Sequence, residues 1–241
     1  MKKFALITGA SGGIGQAAAR VLAQNGWNLY LHYHQNRESI QNLMNDLKPY
    51  GLEIIPIQAD LRTDDGITTL VESLFSVDAL VYASGNSYYG LLQDMSTVEV
   101  DELLAVHVRS PLLLIRSILP KMSAKRKGQI VLVSSIWGQT GAAYEVAYSA
   151  VKGAQIAFVK ALSKEVAASG IRVNAVAPGA VATKMVTEQL SEEELSILKE
   201  EIPMRRLSAP EEVAEAIAFL LSDQSSYITG QILAVNGGWY T

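Results

Sequence analysis

The chain has no cysteine. Disulfides, thiol nucleophiles and thiolate metal sites are therefore excluded. Histidine is almost as scarce, at three residues, so histidine-rich metal centres are not expected. There is no excess of positive charge; the net charge is −4. Such a chain lacks the basic field that draws a protein to nucleic acid or to an anionic membrane, and neither partner is expected. Long apolar runs are missing too, with no stretch expected to reach the ~18 residues of a membrane span. Lys2 and Lys3 lead into the apolar run Phe4–Ile7, which stops at Thr8 and Gly9 and is too short for a secretory signal. We therefore expect a soluble, cytoplasmic protein. No internal repeat, linker or low-complexity stretch divides the chain, so a single domain over 1–241 is expected.

What is present is an alternation. Nearly half the residues are apolar (49%), enough for a sizeable core. Phe4–Ile7 reads as a buried strand, residues 8–15 as a glycine-rich loop, and residues 16–25 as a helix. Gly9, Gly13 and Gly15 let the backbone turn tightly and approach a pyrophosphate at the helix N-terminus. Alone, such a turn could equally be a tight connection. Further strands read at 28–33, 52–58, 79–82, 129–133, 171–176 and within 227–239. Helices read at 39–48, 101–122, 148–168 and, after Pro210, 211–221. The pattern predicts an α/β fold, a Rossmann-type doubly wound parallel sheet of seven strands.

Chemistry concentrates where strands end. A strand ending in Ser134 and Ser135 puts a hydroxyl where open α/β sheets bind ligands. Tyr148 and Lys152, four residues apart on a helix, share one face. A phenol there can give or take a proton, and an ammonium beside it favours the phenolate. At the end of the second strand, folds that bind NAD carry Asp or Glu for the ribose 2′-hydroxyl. Here the run is Tyr33, His34, Gln35, Asn36, Arg37, with no acid before Glu38. Such a site does not repel a 2′-phosphate, which His34, Asn36 or Arg37 can contact, so NADP(H) is preferred over NAD(H). Gly12 adds no basic side chain. His32 and His34 lie on one strand face, but with one other histidine and no cysteine no metal is assigned. Asp60 can accept from an adenine amino group, cap a helix starting near Arg62 or Thr63, or do both. The segment 101–122 is expected to kink near Pro111. Lys121, Lys125, Arg126 and Lys127 at its end either complement the helix terminus or meet an acidic partner. Residues 137–145 read as a glycine-containing loop at the substrate mouth, and 187–201 as a charged, amphipathic candidate lid.

Taken together these residues resemble the short-chain dehydrogenase/reductase family over nearly the whole chain. The resemblance rests on the loop 8–15, Asp60, Ser135, Tyr148 with Lys152, and Pro178-Gly179 with Thr183. Residues 204–214 and 227–238 are similar to the 3-oxoacyl-[acyl-carrier-protein] reductases within it. The resemblance implies catalysis by Ser135, Tyr148 and Lys152. It implies a cofactor site of Gly9, Ser11, Gly12, Gly13, Ile14, Gly15, His34, Asn36, Arg37, Asp60, Leu61, Ala83, Ser84, Gly85, Tyr148, Lys152, Pro178, Gly179, Val181 and Thr183. The implied reaction is NADPH-dependent reduction of a 3-oxoacyl thioester in fatty acid synthesis. Another ketone or alcohol (steroid, sugar or quinone-like), or nucleotide binding without turnover, are the alternatives.

Two departures stand out. Where the family has Asn-Asn-Ala-Gly, this chain has Tyr82, Ala83, Ser84 and Gly85. The family's fourth catalytic residue, an asparagine whose carbonyl holds a relay water, falls at His107. His107 is therefore either a tuning residue, through its carbonyl or its ring, or a packed helix histidine. The resemblance also implies an acyl carrier protein as partner. Arg126 matches a receiving cation, while Ser169 stands where a second is expected, with Arg172 close by. It implies a homotetramer built on helices 101–124 and 148–168 and on the C-terminal segment.

Overall fold

The computed structural model describes residues 2–187 and 190–241. In chain order, strand β1 is Phe4–Thr8, helix α1 Gly13–Gln24, β2 Asn28–Tyr33, α2 Arg37–Leu47, β3 Ile54–Gln58, α3 Asp64–Glu72 and β4 Ala79–Tyr82. There follow α4 Thr97–Leu104, a π-helical turn Ala105–Arg109, α5 Ser110–Lys125, β5 Gly128–Val133, short α6 Trp137–Thr140 and α7 Val146–Val166. The chain continues through β6 Ile171–Pro178, α8 Lys184–Thr187, α9 Glu192–Glu201, α10 Pro210–Leu221 and β7 Ile232–Val235. The seven strands form one sheet in the order β3-β2-β1-β4-β5-β6-β7. Each paired neighbour is parallel. This is the expected doubly wound Rossmann-type sheet.

The inner strands β1, β2, β4, β5 and β6 are buried and mostly apolar because helices cover both faces. Ala5, Ile7, Leu29, Leu31, Val131 and Val133 join α1, α2 and α10 in one core. Their alternate neighbours Phe4, Leu6, Tyr30, Ile130 and Leu132 join α3, α5 and α7 in the other. The strand order reverses at β1, which pairs β2 on one side and β4 on the other. That switch point opens a crevice at the C-terminal ends of β1 and β4, where such sheets hold ligands.

The long helical segment differs from expectation. It starts at Thr97, because Ser96 and Glu99 form a reciprocal capping box. Its irregularity is the π turn before Pro111, not a proline kink, and α5 then runs on through Pro120. Thr97–Lys125 has an 18-residue window of mean hydropathy 1.4, apolar and long enough to cross a membrane by composition, contrary to expectation. In the fold, its Leu114, Ile115, Ile118 and Met122 are buried against the sheet. Residues 137–145 are likewise not all loop, since α6 opens them. The strand expected within 227–239 is limited to Ile232–Val235. Of the expected lid, Glu188 and Gln189 lie outside the described residues, and 192–201 are helix α9, capped by Ser191 and Glu194.

Candidate active site

The glycine loop sits in the crevice because only glycine fits there. Gly9 has φ +66°, and a Cβ on it would meet the Ala83 carbonyl oxygen at 2.8 Å. A Cβ on Gly15 would lie 2.2 Å from the Gly9 carbonyl oxygen. Helix α1 begins at Gly13 with no side-chain cap from Gly12, so its first-turn N–H groups have no capping side chain. Those uncapped groups, at the mouth of the crevice, fit an anionic pyrophosphate. The carbonyl of Ser11 accepts from Gln16 Nε2 of α1 (3.1 Å) and from Ser39 Oγ of α2 (3.2 Å). Thr8 Oγ1 accepts from the Ala83 and Ser84 N–H groups at 3.2 and 3.3 Å.

A cleft of about 310 Å³ runs along this edge. Gly9, Ser11, Gly12, His34, Asp60, Leu61, Ala83, Ser84 and Gly85 line it, together with Arg62, Asn86, Glu102 and Val106. A larger hollow, about 1100 Å³, opens at the opposite end of the sheet among Lys2, Lys3, Trp27, Asp78 and Lys125, and contains none of the chemistry described here.

Asp60 does not cap α3; Thr63 does, accepting from Gly66 N at 3.0 Å. The Asp60 carboxylate receives Arg62 Nη2 at 2.8 Å, and this holds it down to about 2. Arg62 continues to Glu102 at 2.6 Å, a link the sequence did not reveal. His34 Nε2 lies 3.6 Å from Asp60. Asn36 Oδ1 is taken as the cap of α2, accepting from Ser39 N at 3.0 Å, which leaves its amide nitrogen for a ligand. Arg37 is exposed on the first turn of α2. His32 is buried with Nδ1 accepting from Gly9 N (3.2 Å) and Nε2 against the Ala59 carbonyl (3.0 Å). Both nitrogens are used to hold the loop, and no group of metal-ligating side chains occurs among the described residues.

Beyond β5, Ser135 and Lys152 are buried and Tyr148 is half-buried. Ser135 Oγ accepts from Trp137 N at 3.2 Å, which turns the chain into α6. Gly138 lets α6 lie against α7, since a Cβ there would be 2.7 Å from the Lys152 carbonyl carbon. Lys152 Nζ donates to the Val133 carbonyl at 2.8 Å and lies 5.4 Å from the Tyr148 ring centre. Burial pushes the ammonium down to about 7. The Tyr148 hydroxyl goes the other way from expectation: burial and the Glu145 carboxylate push it up, against the Ser135 hydroxyl. The phenol is thus held in its protonated form, not as a phenolate. Burial also raises the Glu145 carboxyl, three residues before Tyr148.

At the end of β6, the Pro178 carbonyl accepts from Ile136 N at 3.1 Å and Gly179 N donates to the Val235 carbonyl. Val181 bridges to Ser208. Thr183 packs over the glycine loop, its methyl carbon 2.7 Å from where a Cβ on Gly13 would be. At the mouth, Tyr89 stacks on Tyr144 at 5.5 Å.

The His107 ring is buried and packed beside Tyr148. Its Nε2 lies 2.8 Å from the Asn86 carbonyl oxygen, the ring stands edge-on to Tyr148 at 5.6 Å, and Nδ1 is buried without a partner. Burial and the Lys152 charge push the ring down to about 3, so it is neutral. Its carbonyl accepts from Gln155 Nε2 at 2.9 Å. Nothing in the residue spacing marked Gln155 or Tyr82. Tyr82, standing for a family asparagine, donates from its hydroxyl to the Val106 carbonyl at 2.5 Å.

Of the expected docking cations, Arg126 is exposed, in the left-handed conformation that ends α5. Lys125 is neutralised by Asp78 at 2.8 Å. Arg172 is committed inward, donating to the Leu220 and Ser222 carbonyls and to Ser225 Oγ, and offers no docking charge.

The chain belongs to the short-chain dehydrogenase/reductase family of oxidoreductases, which act with a nicotinamide cofactor. A family model described as enoyl-(acyl carrier protein) reductase matches residues 9–240. The chain is 51% identical over 242 residues to the oxidoreductase YmfI of Bacillus subtilis, covering all of both chains. It is 35% identical over 244 residues to the 3-oxoacyl-[acyl-carrier-protein] reductase FabG of Staphylococcus epidermidis, again covering both fully. It is 39% identical to FabG of Rickettsia felis, over 98% of this chain and 96% of that one. A solved short-chain dehydrogenase/reductase superposes with a TM-score of 0.91 at 30% identity, over 99% of this chain and 97% of that one.

Proposed function

We propose that this oxidoreductase reduces a 3-oxoacyl thioester, carried on acyl carrier protein or coenzyme A, to the 3-hydroxyacyl thioester in fatty acid synthesis. The observation that carries the proposal is Tyr148 between Ser135 and a buried Lys152, beside the crevice, in a chain that matches the FabG reductases end to end. The bound nicotinamide supplies the hydride. Tyr148, kept protonated by burial, gives its proton to the substrate oxygen. Ser135 hydrogen-bonds and orients that oxygen. Lys152 holds the ribose with an N–H left over from its contact to Val133. Gly9, Ser11, Gly12, Gly13, Ile14 and Gly15 hold the pyrophosphate, and Asp60, Leu61, Ala83, Ser84 and Gly85 line the adenosine side. Pro178, Gly179, Val181 and Thr183 hold the nicotinamide. We favour NADP(H), because His34, Arg37 and the free amide nitrogen of Asn36 offer donors to a 2′-phosphate and no acid stands at the end of β2.

The substrate could instead be another ketone, but no side chain at the mouth favours a particular one. Binding without turnover has less support, because Tyr82 replaces the lost asparagine with a bond of its own. We extend the proposal to a cytoplasmic homotetramer packed through α4–α5 and α7; Val98, Leu104 and Leu112 are exposed there. Steady-state rates with NADPH and NADH, on acetoacetyl-carrier protein, acetoacetyl-CoA and free ketones, test the assignment. Turnover of free ketones with none of either thioester would overturn it.

A further inference from the structure

The π turn and Pro111 together leave two carbonyls without a donor from the helix. Ser110 N is taken by Ala105, and Pro111 has no N–H. The residues left without helix donors are Val106 and His107, and each is bonded from outside the helix. Tyr82 serves Val106, and Gln155 serves His107.

Gln155 is 2% exposed and sits three residues after Lys152 on α7. Its amide has only one consistent orientation. The His107 carbonyl can only accept, so Nε2 must face it at 2.9 Å. The oxygen Oε1 is thereby turned to Lys152 Nζ, 3.5 Å away, which can only donate. Between the π turn and the lysine there is thus a side-chain amide, fixed at both ends.

We propose that Gln155 is a positioning residue that couples the His107 carbonyl to Lys152 and sets the lysine's direction and proton affinity. The proposal rests on the reading of Lys152 as partner of Tyr148. Lys152 has three N–H groups; Val133 and Gln155 take two and leave the third for a ligand. The titratable groups around it are His107 on the π turn, Tyr148 one turn back on α7, and Glu145, whose charge bears on Tyr148. With no carboxylate acting on the ammonium, two neutral acceptors, the Val133 carbonyl at 2.8 Å and Gln155 Oε1 at 3.5 Å, are the local support for its charged form.

The test is an NMR titration of ¹³Cε-labelled lysine in the wild type, Gln155→Leu and Gln155→Glu. A Lys152→Met spectrum supplies the assignment. NADPH-dependent reduction of acetoacetyl-CoA is measured beside it. Gln155→Leu removes the acceptor and should lower the Lys152 midpoint by about one unit. Gln155→Glu places a carboxylate beside the ammonium and should raise it by about one unit or more. The alkaline limb of the rate profile should move in the same directions. Opposite shifts are not what a merely loosened site produces, and if Gln155→Leu fails to fold, Gln155→Glu decides alone. Midpoints unchanged to within about 0.3 unit overturn the proposal whatever the rates do. Tyr148→Phe in the same assay separates the two readings. If it keeps the wild-type rate while the midpoints shift, the catalytic assignment falls and the Gln155 link stands.

Discussion

The Tyr82 hydroxyl at the end of β4 donates to the Val106 carbonyl, across to the π turn, at 2.5 Å. Tyr82 is fully buried and Val106 half-buried at the edge of the cleft, so the bond is largely shielded from bulk water. Tyr82→Phe leaves the carbonyl unsatisfied and should cost about 1–3 kcal/mol of stability. Chemical denaturation measures this as a lower midpoint at an unchanged slope.

His107 and Gly85 fit only as a pair. A Cβ on Gly85 would lie 2.5 Å from the ring's Cε1. Gly85→Ala should destabilise by about 1–3 kcal/mol through overpacking. His107→Asn shortens the side chain, so the double variant should recover a good part of that loss. Simple additivity of the two single changes in a double-mutant cycle would contradict the fit.

His32 and His107 make stability fall in acid. Burial holds them down to about 4 and about 3, below the 6.5 of the unfolded chain. Above about pH 6.5 both states are neutral and nothing is lost. As pH falls from 6.5 through 4 toward 3, the unfolded chain binds protons that the native state refuses. Each histidine should then remove on the order of a few kcal/mol. Denaturation midpoints between pH 7 and pH 4 should fall steeply in the wild type and less so in His107→Asn.

Cofactor choice should turn on the end of β2. His34→Asp introduces the carboxylate that binds a ribose 2′-hydroxyl and repels a 2′-phosphate. The ratio of kcat/KM for NADPH to that for NADH should drop at least about tenfold, which is about 1.4 kcal/mol. An unchanged ratio would show that this position does not read the 2′-phosphate.

Tyr148→Phe should lower kcat by roughly 10²–10⁴ while NADPH still quenches the protein's fluorescence. Glu145→Gln removes one of the groups that raise the phenol. The pH at which Tyr148 loses its proton should then fall, read directly from the ultraviolet absorbance of the tyrosinate.

The layered core was readable from the chain because both-face burial makes the inner strands short, mostly apolar runs; 28–33 and 79–82 match β2 and β4 at both ends. Glycines were readable because close approach demands them, as at Gly9 and Gly15. The π turn was not, since Pro111 also fits a simple kink and only the partners Tyr82 and Gln155 distinguish the two. Arg62 was missed as the partner of Asp60 for a similar reason. A bidentate pair two residues apart depends on how the turn is wound, not on spacing. His107 shows the same limit, because its ring orientation is set by Asn86 and Gly85, residues with no marked pattern of their own. The expected direction of the Tyr148 shift failed because proximity to Lys152 was legible and desolvation was not.

The pairing of Ala5 with Ala79 has a consequence for how the protein is made. β1 leaves the ribosome first but gains its β4 neighbour only after two further strands and three helices. Such distant partners must pay loop-closure entropy before the contact rewards them, which slows folding. One wall of the crevice therefore does not exist on a nascent chain until Tyr82 has emerged. A cofactor gripping both walls can lock in a finished sheet but cannot template its first half.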